Sequence, residues 1–165
     1  MKVYISKLTD CNKNDIKNKL ISYAYYEKFK KEINLSKIEK NKYGKLYYEP
    51  DFFFNISHSK NYICIAVSNS EVGIDIEEER KIEVDISRRV LGENEKIIDN
   101  NIVINWVIKE AYSKYKGLGL YMDFRTINTE QLLKDNNLKN LSTDKYYCYL
   151  YGKEEIESVR YIERI

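Results

Sequence analysis

Proline occurs once in 165 residues, and no Gly/Pro/Ser-rich stretch interrupts the chain. With 43% hydrophobic and 33% charged residues, that scarcity excludes a disordered or low-complexity chain. The three cysteines, Cys11, Cys64 and Cys148, are odd in number and far apart, and no CxxC pair occurs. Neither a disulfide framework nor a zinc site fits that spacing. A basic excess is also missing, since 28 Lys+Arg stand against 26 Asp+Glu for a net charge of +2. Dedicated nucleic-acid binders carry more. No apolar run approaches the roughly 18 residues of a membrane span. The start, MKVYISKLTD, has neither the basic opening nor the apolar core of a signal peptide. The expectation is a cytoplasmic globular protein that engages neither nucleic acid nor membrane. Its length suits one domain spanning 1–165, long enough to bury a core without staples.

Hydrophobic spacing supplies the elements. Residues 3–6 read as a short strand. Ile16, Leu20, Tyr23 and Ala24 predict an amphipathic helix over Asp15–Glu32, with Lys13, Lys17, Lys19, Lys28, Lys30 and Lys31 on its polar sides. Tyr43-Gly44-Lys45 is a turn signal. Phe52, Phe54 and Ile56 alternate as in a strand ending near Ser57-His58-Ser59, and YICIAV at 62–67 reads as a buried strand. Ser68-Asn69-Ser70 then suggests a hairpin into Val72–Glu77. Ile104, Val107, Ile108, Ala111, Tyr112 and Tyr115 form one apolar helical stripe that stops at Gly117-Leu118-Gly119. A short helix is expected over Gln131–Leu138, and antiparallel strands over Tyr146–Tyr151 and Glu157–Ile162. Strands and helices interleave without regular βαβ spacing, so the fold class is α+β.

Three segments carry chemistry. In Gly73-Ile74-Asp75-Ile76-Glu77, alternation puts both carboxylates on one face, about 6.6 Å apart at Cα. Both could lean toward one hard cation, with Gly73 leaving room for a ligand; the plain alternative is an edge strand with a solvated face. Glu78 and Glu79 read as solvent-facing. Trp106, Glu110 and Lys114 lie at i, i+4 and i+8 on one helix flank, either as a helix-stabilising Glu110–Lys114 pair or as a carboxylate for a metal beside an ammonium for a phosphate. His58, the one histidine, sits among Asn55, Ser57 and Ser59. It is either an ordinary loop residue or, with a serine hydroxyl, an anion contact. Neither a G-x-S-x-G elbow nor a phosphate-cradling glycine loop occurs.

Taken together, FNISHS at 54–59, GIDIE at 73–77 and WxxKEAxxKxxGxGL at 106–120 resemble the 4′-phosphopantetheinyl transferase superfamily. The likeness is to the two-halved type that activates carrier domains of peptide and polyketide synthetases. Tyr43-Gly44-Lys45 resembles that family's YGKP segment, with Leu46 in place of proline. The resemblance implies two similar halves, approximately 1–70 and 71–165, related by a pseudo-twofold, each a small antiparallel sheet with a helix. It implies a monomer that uses Mg²⁺ and coenzyme A and modifies a serine of an acyl or peptidyl carrier protein. Asp75, Glu77 and Glu110 take the place of the family's metal ligands. Lys114 takes that of the lysine at the transferred phosphate, and Lys45, Ser57 and His58 those of coenzyme A phosphate contacts. The base is either Glu110 or a hydroxide held by the metal. Longer members carry more chain before the first helix, with an arginine at the 3′-phosphate. No arginine precedes Arg80 here, which leaves Lys17 or Lys19 for that contact. A rival reading is a non-catalytic module of the same fold that binds coenzyme A or a carrier protein.

Overall fold

A computed structural model describes residues 1–8, 13–48, 51–79 and 84–163. Cys11 and Arg80 lie outside the described residues. In chain order the elements are β1 (Lys2–Lys7), α1 (Lys13–Phe29), β2 (Glu39–Lys40), β3 (Leu46–Tyr47), β4 (Phe53–His58), β5 (Tyr62–Ser68) and β6 (Val72–Glu77). There follow α2 (Val84–Val90), α3 (Ile102–Tyr115), α4 (Thr129–Leu132), β7 (Leu138–Asn140), β8 (Tyr147–Gly152) and β9 (Ser158–Ile162). Short, mostly antiparallel sheets combined with helices make this an α+β fold, as the interleaved pattern predicts.

Two sheets stack between two helices. The first has strand order β4-β5-β1-β9 and the second β6-β8-β7. Alternation sorts their side chains into three apolar layers. Val3, Ile5, Cys64 and Ala66 of the first sheet meet Val72, Ile74, Ile76, Cys148 and Leu150 of the second. On the outer face of the first sheet, Tyr4, Ile63, Ile65 and Val67 pack on Ile16, Leu20, Ile21 and Ala24 of α1. On the outer face of the second, Tyr149 and Tyr151 pack on Val103, Ile104, Val107, Ile108 and Ala111 of α3.

The layer plan corrects several expectations. Segment 68–70 does not close a hairpin. Strand β5 is already paired on one edge with β4 and on the other with β1, so β6 finds no free edge there and pairs with β8 instead. Strands β8 and β9 are not antiparallel partners. Strand β9 crosses to the other sheet and runs parallel to β1, from Lys2↔Ser158 to Ser6↔Ile162. The helix expected over Gln131–Leu138 is a single turn, Thr129–Leu132, and Leu138 begins β7. Glu78 is half-buried and holds the turn after β4. It accepts hydrogen bonds from the Asn61 backbone N–H and side-chain amide, both at 2.7 Å, and from Ser59 Oγ at 3.2 Å.

Helix α3 is the element that fixes the site. Asn101 caps its start by accepting from the Val103 N–H at 3.0 Å. At its end Gly117 takes φ +73°, and the Leu118 N–H reaches back to the Ser113 carbonyl at 3.1 Å. One close approach seats it on the sheet. A Cβ on Gly73 would lie 2.1 Å from the Ala111 carbonyl oxygen and 2.3 Å from the Tyr115 nitrogen. Gly73 therefore makes room for the helix backbone, not for a ligand as its position beside Asp75 suggested.

Candidate active site

Edge strands β4 and β6, one from each sheet, pack side by side. Asn55 stitches this seam: its Oδ1 accepts from the Ile74 N–H at 2.9 Å, with both groups buried. That bond satisfies a backbone donor which ladder pairing leaves unused. Two residues further on, Ser57 of β4 faces Asp75 of β6, and its Oγ donates to Asp75 Oδ1 at 2.6 Å. Helix α3 brings Lys114 onto the same pair, with Nζ 2.6 Å from Asp75 Oδ1 and 3.0 Å from Ser57 Oγ. Glu110, one turn earlier, has Oε2 3.8 Å from Lys114 Nζ. Ser57, Asp75, Glu110 and Lys114 thus converge from three elements.

The electrostatics of this set follow from burial and mutual charge. Glu110 is pushed up to about 7 by burial, and the Asp75 and Glu77 charges add to that rise against the lowering effect of Lys114. Burial by itself would lower the Lys114 ammonium, but Asp75 and Glu110 beside it raise it overall. Asp75 keeps only 4% of its surface exposed, and its Oδ2 is buried without a hydrogen-bond partner. A buried acceptor in that condition needs a donor or cation to complete it. Among the described residues, no three His, Cys, Asp or Glu side chains are drawn close enough to hold a metal ion as they stand. Even so, Asp75, Glu77 and Glu110 supply hard oxygen donors of the kind Mg²⁺ takes, and the orphaned Oδ2 and the mutually repelling carboxyls fit a dication.

Beside this set a cleft of about 270 Å³ is lined by Lys17, Lys40, Lys45 and Lys114, with Tyr43, Gly44, Asn55 and Gly119 among its other walls and, among the described residues, no carboxylate. Its rim is the 41–45 turn. Asn41 Oδ1 accepts from the Tyr43 and Lys45 N–H groups at 2.9 and 3.0 Å, its Nδ2 donates to the Gly117 carbonyl at 2.9 Å, and Gly44 takes φ +89°. The turn is thereby tied to the end of α3. Lys45 is anchored: it pairs with Glu71 and donates to the Val72 carbonyl at 3.1 Å. Lys19 makes an exposed pair with Asp15 at 3.2 Å and does not line the cleft. His58 is exposed at the end of β4, and alternation turns its ring to the opposite face from Ser57. Partial desolvation, with Lys13 and Lys114 nearby, lowers its pKa, so near neutrality it is an uncharged N–H donor.

Sequence reasoning missed four contributors. Lys40 lines the cleft, and its only signal was its place just before the Tyr43-Gly44 turn. Asn41 and Asn55 are the two amides that fix rim and seam; an asparagine three residues before a glycine, and a polar residue on the strand face opposite Phe52, Phe54 and Ile56, were their signals. Lys109, inside the helix motif, is fully buried. It pairs with Glu95 and donates to the Val90 and Phe124 carbonyls at 2.7 and 3.0 Å. A lysine on the helical stripe's border gives no sequence sign of such burial.

Comparison with known proteins bears on the same residues. Residues 71–161 match the family model of the 4′-phosphopantetheinyl transferase superfamily. The 4′-phosphopantetheinyl transferase gsp of Aneurinibacillus migulanus is 41% identical over 92 residues, 50% of this chain and 39% of that protein. A 4′-phosphopantetheinyl transferase of Bacillus subtilis is 34% identical over 105 residues, covering 57% of this chain and 46% of its own length. The 4′-phosphopantetheinyl transferase Sfp of Bacillus subtilis strain 168 is 30% identical over 111 residues, 61% and 49% of the two chains. The match thus spans less than half the length of each of these relatives. With its family model covering more than half of the chain, this protein belongs to the 4′-phosphopantetheinyl transferase superfamily.

Proposed function

We propose that this chain transfers the 4′-phosphopantetheine group of coenzyme A to a serine of an acyl or peptidyl carrier protein. The observation that carries the reading is the joint placement of Lys114 on Asp75 and Ser57, beside a cleft lined by four lysines. In the reaction the carrier serine oxygen bonds to the pantetheine-side phosphorus, the pyrophosphate bridge breaks, and 3′,5′-ADP leaves with the bridging oxygen. The serine proton is released. Charge develops on phosphate oxygens, so the residues must position and neutralise rather than form covalent intermediates.

Each side chain has a task in this scheme. Lys17, Lys40 and Lys45 hold the coenzyme A phosphates in the cleft, and Lys114 reaches from the cleft wall to the transferred phosphate. Ser57 and Asp75 keep the Lys114 ammonium aimed there. His58, exposed beside Ser57 in sequence, donates to a phosphate from the strand's other face. Asp75, Glu77 and Glu110 would hold Mg²⁺, whose charge offsets that of the pyrophosphate. A proton accepted by Glu110 would stay in the ion-paired set with Lys114.

Strand β9 pairs with β1 in one sheet, which supports a single domain over 1–165. A monomer, with halves at approximately 1–70 and 71–165, is what the family resemblance implies. Its substrates would place it in the cytoplasm.

The test is incubation with coenzyme A, Mg²⁺ and an apo carrier protein, followed by intact-mass measurement of the carrier. A gain of one phosphopantetheine, with equimolar 3′,5′-ADP, is the expected result. An unmodified carrier in the presence of bound coenzyme A would leave a binding module in place of an enzyme.

A further inference from the structure

The two walls of the lysine cleft are built with unequal firmness. On one side stands α3, packed on its sheet and clamped by the Lys114–Asp75 pair. On the other stands the 41–45 turn, carried by β2 and β3, a hairpin of two residues per strand that forms a sheet of its own. A hairpin of that size has little stability by itself, so side chains must seat it on the body. Asn41, half-buried at the base of the turn, does two separable jobs. Its Oδ1 accepts from the Tyr43 and Lys45 N–H groups at 2.9 and 3.0 Å, which shapes the turn. Its Nδ2 donates to the Gly117 carbonyl at 2.9 Å, just beyond α3. Gly117 is buried, so that carbonyl depends on a protein donor. The approach is close: a Cβ on Gly117 would lie 3.3 Å from Asn41 Nδ2. Lys40, just before the turn, and Lys45, at its end, both line the cleft that Lys114 closes from the helix side. One amide therefore sets the spacing between those lysines and Lys114.

We propose that Asn41 is a positioning residue for coenzyme A, whose bond to Gly117 holds the lysine-bearing turn at the distance from α3 that the coenzyme A phosphates require. The inference rests on the transferase reading, which supplies the ligand. Without the bond the turn is free to open, while α3, held by its own packing, keeps Lys114 on Asp75. Ordering the turn then falls to the ligand, and binding weakens by that cost. Once coenzyme A is bound, the contacts made from α3 are unchanged, so KM rises and kcat is spared.

The test compares the parent with Asn41→Ser and Asn41→Ala. A serine hydroxyl still accepts from the turn N–H groups but is too short to reach Gly117, whereas alanine loses both sets of bonds. Calorimetry gives Kd for coenzyme A, carrier loading gives KM and kcat, and a thermal melt reports folding. Kd and KM should rise about fivefold in the serine variant and about tenfold in the alanine variant, with kcat within about twofold of the parent's. Unfolding midpoints should stay close to the parent's. A general loss of folding would instead lower kcat at unchanged KM, because fewer molecules are active. That result, or an unchanged Kd in both variants, would overturn the proposal. A parent that binds coenzyme A yet loads no carrier would overturn the transferase reading alone, and the Kd comparison would still decide the role of Asn41. A parent that binds no coenzyme A would overturn both.

Discussion

Asp75 carries more of the site than any other side chain. Its Oδ1 takes bonds from Ser57 and Lys114, and its Oδ2 is the buried atom still without a partner. Asp75→Asn preserves shape and leaves an oxygen for Ser57 and Lys114, but removes the charge that aims Lys114 and would bind a cation. Carrier loading should fall by about 100-fold or more, with the unfolding midpoint close to the parent's. Rates from carrier mass and a thermal melt on the same sample check both halves of that statement; near-parental loading across a Mg²⁺ titration would remove Asp75 from the reaction. The two carboxylates, the helical Glu110–Lys114 spacing and Ser57 were all legible as residues. That they meet followed only from the family resemblance and not from spacing, because Ser57 and Lys114 are far apart in sequence and on different elements.

At the scale of the element, α3 depends on two contacts the hydrophobic pattern does not contain. Gly73 allows its backbone to lie on β6, so Gly73→Ala must force the helix away from Asp75. We expect about 3 kcal/mol of lost stability together with lost transfer activity, measured by urea unfolding and carrier loading; an alanine variant as stable as the parent would contradict the seating described. The second contact is the buried pair of Lys109 and Glu95. Burial raises the Glu95 carboxyl, but hydrogen bonds from Lys109, Thr129 and Gly92 outweigh it and hold the group below its ordinary value. A carboxyl lowered on folding stabilises above its unfolded pKa, and that contribution fades as pH falls through the folded one. Glu95→Gln, which leaves the Lys109 charge buried and unpaired, should cost about 3 kcal/mol at neutral pH. The gap should narrow in acid below the usual carboxylate range. Unfolding midpoints of both proteins across a pH series test this, and a constant gap would assign the loss to packing alone.

Across the whole molecule, the lysine cleft draws on both sheets' surroundings: Lys17 from α1, Lys40 and Lys45 from β2 and the turn beyond it, and Lys114 from α3. Lys40 is exposed, and among the described residues Lys17 makes a 3.4 Å bond to Asn14 and no ion pair, so both charges face an anion in the cleft. Exposed point charges are screened by salt over about 8 Å at physiological ionic strength. KM for coenzyme A should therefore rise with salt, and 3′-dephospho-coenzyme A should show a flatter dependence. Lys17→Ala or Lys40→Ala should each raise KM for coenzyme A by about fivefold. Equal salt slopes for the two substrates would mean that these lysines do not hold the 3′-phosphate.

Local choices are written in the amino-acid order: the apolar stripe of α3, the alternation in β4, β5 and β6, the glycine stop at 117, and the motifs that mark the family. Periodicity reports which face of an element is buried, and it does so because burial acts residue by residue along one segment. Which segments share a sheet was decided only by tertiary structure. The hairpin after β5 was excluded by strands already occupying both its edges, and β9 joined β1 rather than β8. The site was settled at the same level. Ser57, Asp75 and Lys114 approach within hydrogen-bonding distance only because two edge strands pack together and a glycine lets a helix backbone rest on one of them.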